Sequence, residues 1–233
     1  MEIGPFDTPV LRGPRVQYCD VLSADELRSR AAHLGRKPAG VPEIDFVTPN
    51  GDLSEINRSF QTVFSSHCIE HQPDLIHHIN QVDELLEPGG AYWLLIPDKR
   101  FCFDHFLPAS HLGDVIQAHE EKRRTHQLQS VVEHRALTTH NFAWKHWIGL
   151  HRDPGADQRV ARVIGAVREY RAAAGGYVDV HAWQFTPDSF LSLMGDLKRL
   201  GYIKLHPEVV WKTPFARLEF AALLRKKNAL PPL

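Results

Sequence analysis

The chain is poor in cysteine. Cys19, Cys68 and Cys102 are odd in number, widely spaced and never arranged as C-x-x-C, which excludes a disulfide framework and a thiolate zinc knot and fits a reducing cytoplasm. An excess of either charge sign is missing too: 27 Lys and Arg stand against 28 Asp and Glu, for a formal net charge of −1. No global basic field exists to attract a phosphate backbone. The nearest basic patch, Glu121-Lys122-Arg123-Arg124, reads as the solvated face of a helix, so no nucleic-acid partner is expected. Long hydrophobic runs are also absent. The longest, residues 91–97, is far too short to span a bilayer, and the first residues, with Glu2 and Asp7 among Gly and Pro, lack the basic and apolar regions of a targeting segment. The expectation is a cytoplasmic protein with no membrane partner.

What is present suits one globular domain over residues 1–233. Apolar residues make up 43% and charged residues 24%, close to the soluble average, and the length can bury a large core with room for an insertion. Fifteen histidines make the net charge sensitive to mild acid.

Through the first hundred residues, short apolar runs alternate with helical patterns. Residues 16–19 and 44–47 read as strands, and Ser23 caps a helix with Asp25 and Glu26 in its first turn. A strand at 62–65 leads to an amphipathic helix opened by Pro73-Asp74 and stopped by Pro88-Gly89-Gly90. The apolar strand 91–96 follows, continuous enough to be buried on both faces. This alternation predicts a doubly wound α/β sheet with ligands at the carboxyl ends of its strands. From 101 to 177 the strand rhythm stops, and helical stretches such as 113–122 and 157–174 point to an insertion or lid. Thr186-Pro187-Asp188 then caps a helix ending at Gly201, and strands 203–212 and 217–225 form an antiparallel hairpin.

His67-Cys68-Ile69-Glu70-His71 spells the H-x-x-E-H signature of a zinc hydrolase, in which both histidines occupy one helix and the glutamate activates a metal-bound water. Here a strand ends at Ser66 and Pro73 opens the next helix, so the motif falls in a loop. Zinc hydrolysis ranks third among the readings, and no metal ligand is assigned.

Four places in order carry a family likeness: Glu2-Ile3-Gly4-Pro5-Phe6 as the end of a first strand and its glycine turn, Asp20 as the acid closing a second strand, Ser65 to Asp74 as a fourth-strand exit of the form S-x-x-x-E-H, and Leu86-Glu87-Pro88-Gly89-Gly90 as the turn into a fifth strand. Together they resemble the class I S-adenosylmethionine-dependent methyltransferases, of the type 11-like kind, in a bacterial subgroup with an E-I-G-P glycine turn. Pro97-Asp98-Lys99-Arg100-Phe101 and the stretch from His181 to Pro187 add to the likeness. Only one glycine of the usual G-x-G-x-G remains.

The resemblance implies a Rossmann-like seven-stranded mixed sheet in the order 3-2-1-4-5-7-6 with a helical insertion after strand 5. It implies S-adenosylmethionine as cofactor and a small-molecule acceptor, sugar-linked or of secondary metabolism. It assigns Glu2, Gly4, Asp20, Asn50, Asp52, Leu53, Ser65, Ser66 and His67 to the cofactor. A glycine lets backbone approach a ligand closely, and a carboxylate about 16 residues on can accept both ribose hydroxyl protons. His71 and Asp98 are the candidate bases at the sheet's carboxyl edge. Trp144, Trp147 and Trp183 could either wall a pocket or pack the insertion. A methyltransferase-like binding protein without catalysis is the alternative reading, and oligomeric state is not legible.

Overall fold

The computed structural model describes residues 1–153 and 155–228. Seven strands form one sheet: β1 (Glu2–Ile3), β2 (Tyr18–Asp20), β3 (Phe46–Val47), β4 (Phe60–Ser66), β5 (Leu86–Pro97), β6 (His206–Val210) and β7 (Glu219–Arg225). Their order is β3-β2-β1-β4-β5-β7-β6. The first five pair in parallel, and β7 runs antiparallel to both β5 and β6. The sheet is therefore the seven-stranded mixed, Rossmann-like arrangement expected.

Local chemistry explains where the helices begin. Ser23 and Glu26 form a reciprocal capping box on α1 (Ala24–His33), Asp74 caps α2 (Leu75–Leu85), and Thr186 with Ser189 caps α7 (Pro187–Arg199), where Pro187 occupies the first turn. Each cap satisfies amides that would otherwise be unpaired. Leu75, Ile76, Ile79 and Val82 of α2 and Phe190, Met194 and Leu197 of α7 are fully buried against Tyr92, Leu94 and Ile96 of β5.

Three expectations are corrected. Helix α2 ends at Leu85, before Pro88-Gly89-Gly90; Leu86 is already extended, and those three residues form a bulge inside β5, between the pairs Phe60↔Leu86 and Thr62↔Ala91. Nor is β5 buried on both faces: Trp93 is 38% exposed and stacks on Trp211 at 5.7 Å between ring centres. Glu121 to Arg124 follow α3 (Leu112–Glu120) instead of lying along it. Residues 4–17 cross from β1 to β2 as a loop, and Glu2 holds it, accepting the Val10 and Leu11 amides on Oε1 and Oε2 at 2.9 and 2.8 Å.

Between β5 and α7 the chain adds α3, α4 (Leu128–Leu137), α5 (Ala143–Trp147) and α6 (Ala156–Ala172). Helices α4 and α6 pack around their own small core of Val131, Ala166, Val178 and Val180. At the outer edge of the sheet, β6 carries Pro207 and a register shift between Pro207 and Val209. No helix among the described residues is long and apolar enough to cross a membrane.

Candidate functional site

A cleft enclosing about 160 Å³ opens at the carboxyl ends of β1, β2 and β4, where an open α/β sheet presents ligands. Gly4 forms one wall. Its φ is +70°, and an added Cβ would meet Cys68 only at an ordinary 3.8 Å, so backbone conformation rather than crowding demands glycine there. The Gly4 amide is tied to the Cys19 carbonyl at 2.8 Å, which sets the turn against β2.

Asp20, the last residue of β2, lines the same cleft and is 8% exposed. Burial pushes its carboxyl above the usual range, while nearby amides of Leu22, Val21 and Phe6 pull the other way. Its one close side-chain partner is the Leu22 amide at 3.4 Å, and among the described residues it forms no salt bridge. The carboxylate therefore keeps acceptor capacity at the cleft. Leu53, in the turn after β3, supplies an apolar wall together with Ile3.

The β4 exit supplies His67, Cys68 and His71. His67 has φ +51°, a left-handed conformation uncommon outside glycine, and this kink ends the strand. The Ile69–His71 stretch is a single 3-10 turn, not the continuous helix that an H-x-x-E-H zinc site needs. His71 Nδ1 lies 3.0 Å from Asp179 Oδ1. Burial disfavours the charged imidazole, but Asp179 and Glu70 outweigh it and hold His71 above its ordinary value. For His67, burial is likewise overcome, by Glu219 and Glu70.

Several residues expected at the cofactor have other work. Glu2 is spent on the 10–11 loop amides. Asn50 is exposed outside the cleft lining. Asp52 caps the turn Leu53–Glu55 through the Ser54 amide and also accepts from Gln81. Ser65 is 1% exposed, its hydroxyl 2.9 Å from the Tyr92 hydroxyl, and Ser66 also lies outside the lining. Asp98 is fully buried after β5, where Arg100 grips it with Nε and Nη2 and the Arg100 amide and Thr213 hydroxyl also donate to it. With that many donors Asp98 has no free lone pair for a substrate proton, and it shapes the loop instead.

Other contributors were not assigned to the site from the sequence. Thr48, Gly51 and Gln72 line the cleft, as does His78 of α2, which reaches the Tyr92 hydroxyl through Nε2 at 3.0 Å. Tyr177, at the end of the insertion, reaches the same cleft. The tryptophans divide: Trp183 is 4% exposed and donates to the Gln72 carbonyl, Trp147 stacks on Phe101 at 3.9 Å, and Trp144 is exposed. A larger cleft of about 300 Å³ beside α3 and α4, lined by His111, Gln127 and Gln184 among others, holds neither the glycine turn nor Asp20. Size alone does not select the site.

No protein-family model matches the chain, and no curated protein does. Among solved structures it is similar to the CcbJ methyltransferase from Streptomyces caelestis, with 23% identity over 43% of this chain and 46% of that one, at a TM-score of 0.32. It is similar also to the mitomycin 7-O-methyltransferase MmcR, at 10% identity over 97% and 48% of the two chains and a TM-score of 0.43. A third is an O-methyltransferase family protein from Burkholderia thailandensis, at 11%, over 98% and 51%, with 0.38. The chain spans about half the length of these proteins. At such scores the likenesses carry no argument about activity, and the fold rests on the strand order and register above.

Proposed function

We propose that the protein binds S-adenosylmethionine in the cleft at Gly4 and Asp20 and transfers its methyl group to a small-molecule acceptor, sugar-linked or of secondary metabolism. The observation that carries this reading is Asp20: a nearly buried carboxylate at the end of β2, without a salt-bridge partner among the described residues, across a glycine turn that holds backbone open. That arrangement suits a ribose diol, whose two hydroxyls need a charged acceptor. The cofactor would supply an electrophilic methyl group. The chain's part would be to bind the nucleoside and align the acceptor, His71 being the cleft residue placed to take a hydroxyl proton. The cleft volume lies below the about 300–1,000 Å³ usual for small-molecule sites, so binding would require Tyr177, half exposed at the mouth, to swing outward with the insertion.

Calorimetry with S-adenosylhomocysteine tests the reading. Asp20→Ala leaves two hydroxyls without their charged acceptor and is expected to weaken binding by about 1.5–3 kcal/mol, roughly ten- to a hundred-fold, with little change in thermal midpoint. Equal affinity in wild type and variant would take Asp20 out of the site. No nucleoside binding by the wild type would remove the cofactor itself.

A further inference from the structure

Glu70 is 1% exposed, and neither of its carboxylate oxygens has a hydrogen-bond partner. A buried carboxylate left in that state is costly. What faces it is a set of imidazoles: Oε1 is 3.9 Å from His71 Nε2, 3.8 Å from His181 Nε2 and 3.9 Å from His67 Nδ1. Each ring has a carboxylate behind it. His71 Nδ1 is 3.0 Å from Asp179, His181 Nδ1 is 2.6 Å from Asp104, and His67 Nε2 is 3.6 Å from Glu219. The segments are locked together, because the Ala182 and Trp183 amides both donate to the Glu70 carbonyl.

We propose that Glu70, His71 and His181 bind a divalent first-row cation of the zinc class. Their ligand atoms lie within 4.8 Å of one another. The separations of 3.8–3.9 Å are too long for hydrogen bonds. They exceed by about 0.5 Å the roughly 3.3 Å edge of a tetrahedron with zinc–ligand distances of about 2.0–2.1 Å. Modest inward rotation of three side chains would close the site. Asp104 is hydrogen-bonded to the far nitrogen of His181, the outer-shell arrangement that metal-bound histidines use, while Asp179 lies 3.0 Å from the far nitrogen of His71 without hydrogen-bond alignment, so that a small turn of the ring would complete the same arrangement there. Two imidazoles and one carboxylate suit zinc or iron(II) and leave coordination positions for water or a ligand oxygen.

This is not the H-x-x-E-H arrangement. Glu70 acts as a ligand and not as a base, and His181 enters from beyond the helical insertion. Two neighbouring clusters are weaker. In Asp104, His134 and His181 the 2.6 Å contact is a hydrogen bond that uses up His181 Nδ1. In His105, His146 and His151 no carboxylate takes part, His105 and His151 stack face to face at 3.6 Å, and His146 spends Nε2 on the His140 carbonyl. With a cation bound, His71 Nε2 is a ligand and no longer takes a proton, so the two roles are alternatives. The metal site does not depend on the methyl-transfer reading.

Chelator-stripped full-length chain, titrated with Zn²⁺ by calorimetry and counted by elemental analysis, provides the test. One Zn²⁺ per chain is expected, at micromolar affinity or tighter. Glu70→Gln and His181→Ala are each expected to weaken it by more than about 100-fold. Asp179→Asn, at a half-exposed position that should fold normally, is expected to weaken it by about 10- to 100-fold. His151→Ala should leave it unchanged. Zn²⁺ should raise the thermal midpoint of the wild type and of His151→Ala, but not of Glu70→Gln. Zn²⁺ uptake by the wild type no greater than by His181→Ala would overturn the proposal, as would uptake that is lost in His151→Ala and kept in Glu70→Gln. Nucleoside binding is read separately through Asp20→Ala, so either reading can fail alone.

Discussion

At the scale of single residues, the same residue type does opposite work in different places. Asp20 and Glu2 are both buried acids near the glycine turn, yet Glu2 is bonded to two loop amides while Asp20 retains free acceptor capacity. Glu2→Ala therefore strands two donors. It is expected to cost about 2–4 kcal/mol of stability, each lost bond to a charged group being worth about 1.5–3 kcal/mol less any recovery by water, measured as a shift in denaturant midpoint. Asp20→Ala should shift that midpoint far less. The position of Asp20 was legible in the sequence because an acid closes a short strand about 16 residues after the glycine turn. Asp52, assigned to the cofactor from the sequence, caps a turn and accepts the amide two residues on, at Ser54. The role of Asp98 was not legible, because its partners Arg100 and Thr213 converge only once β5 and the hairpin loop are side by side.

At the scale of elements, the sequence located helices better than it bounded strands. Caps are local, so Ser23, Asp74 and Thr186 marked their helices directly. Thr186→Ala removes a reciprocal cap and is expected to destabilise by about 1 kcal/mol, while Thr186→Ser should restore it; equal midpoints for all three chains would show that the cap contributes nothing. Strand limits depend on partners. Residues 44–47 shrank to Phe46–Val47, which pair with Cys19 and Asp20 at the end of a three-residue β2, and Leu86 joined β5 because Phe60 lies opposite. Tyr177, Thr48 and His78 come from three separate stretches of chain, two loops and α2, and no spacing along the chain could join them at one cleft. The course of the loop from the glycine turn to β2 was also invisible, since it depends on Glu2 meeting amides eight and nine residues further on.

For the molecule as a whole, stability should depend on pH through buried neutral histidines. His78 is fully enclosed, with its pKa lowered by burial to about 4; His126 is likewise lowered to about 4, chiefly by burial. The folded state thus binds fewer protons than the unfolded chain once pH falls below the ordinary histidine value. The stability present above about pH 6.5 should be lost progressively toward pH 4, by up to about 3 kcal/mol for His78. Denaturant midpoints across that window, compared with those of His78→Gln, should show a shallower pH slope in the variant. An unchanged slope would assign the acid sensitivity elsewhere.

The outer strand β6 bears on whether copies of the protein stay apart. An edge strand offers a row of unpaired backbone groups that a second chain can continue, and Pro207 with the adjoining register shift removes a donor and bends that row. Proline there is inward-facing and compatible with packing against α7, so Pro207→Val should leave the fold in place while restoring a donor to the edge. The expected result is concentration-dependent light scattering on mild heating in the variant and none in the wild type. The stretch from His206 to Val210 would then be what limits how concentrated the protein can become before its sheets join end to end.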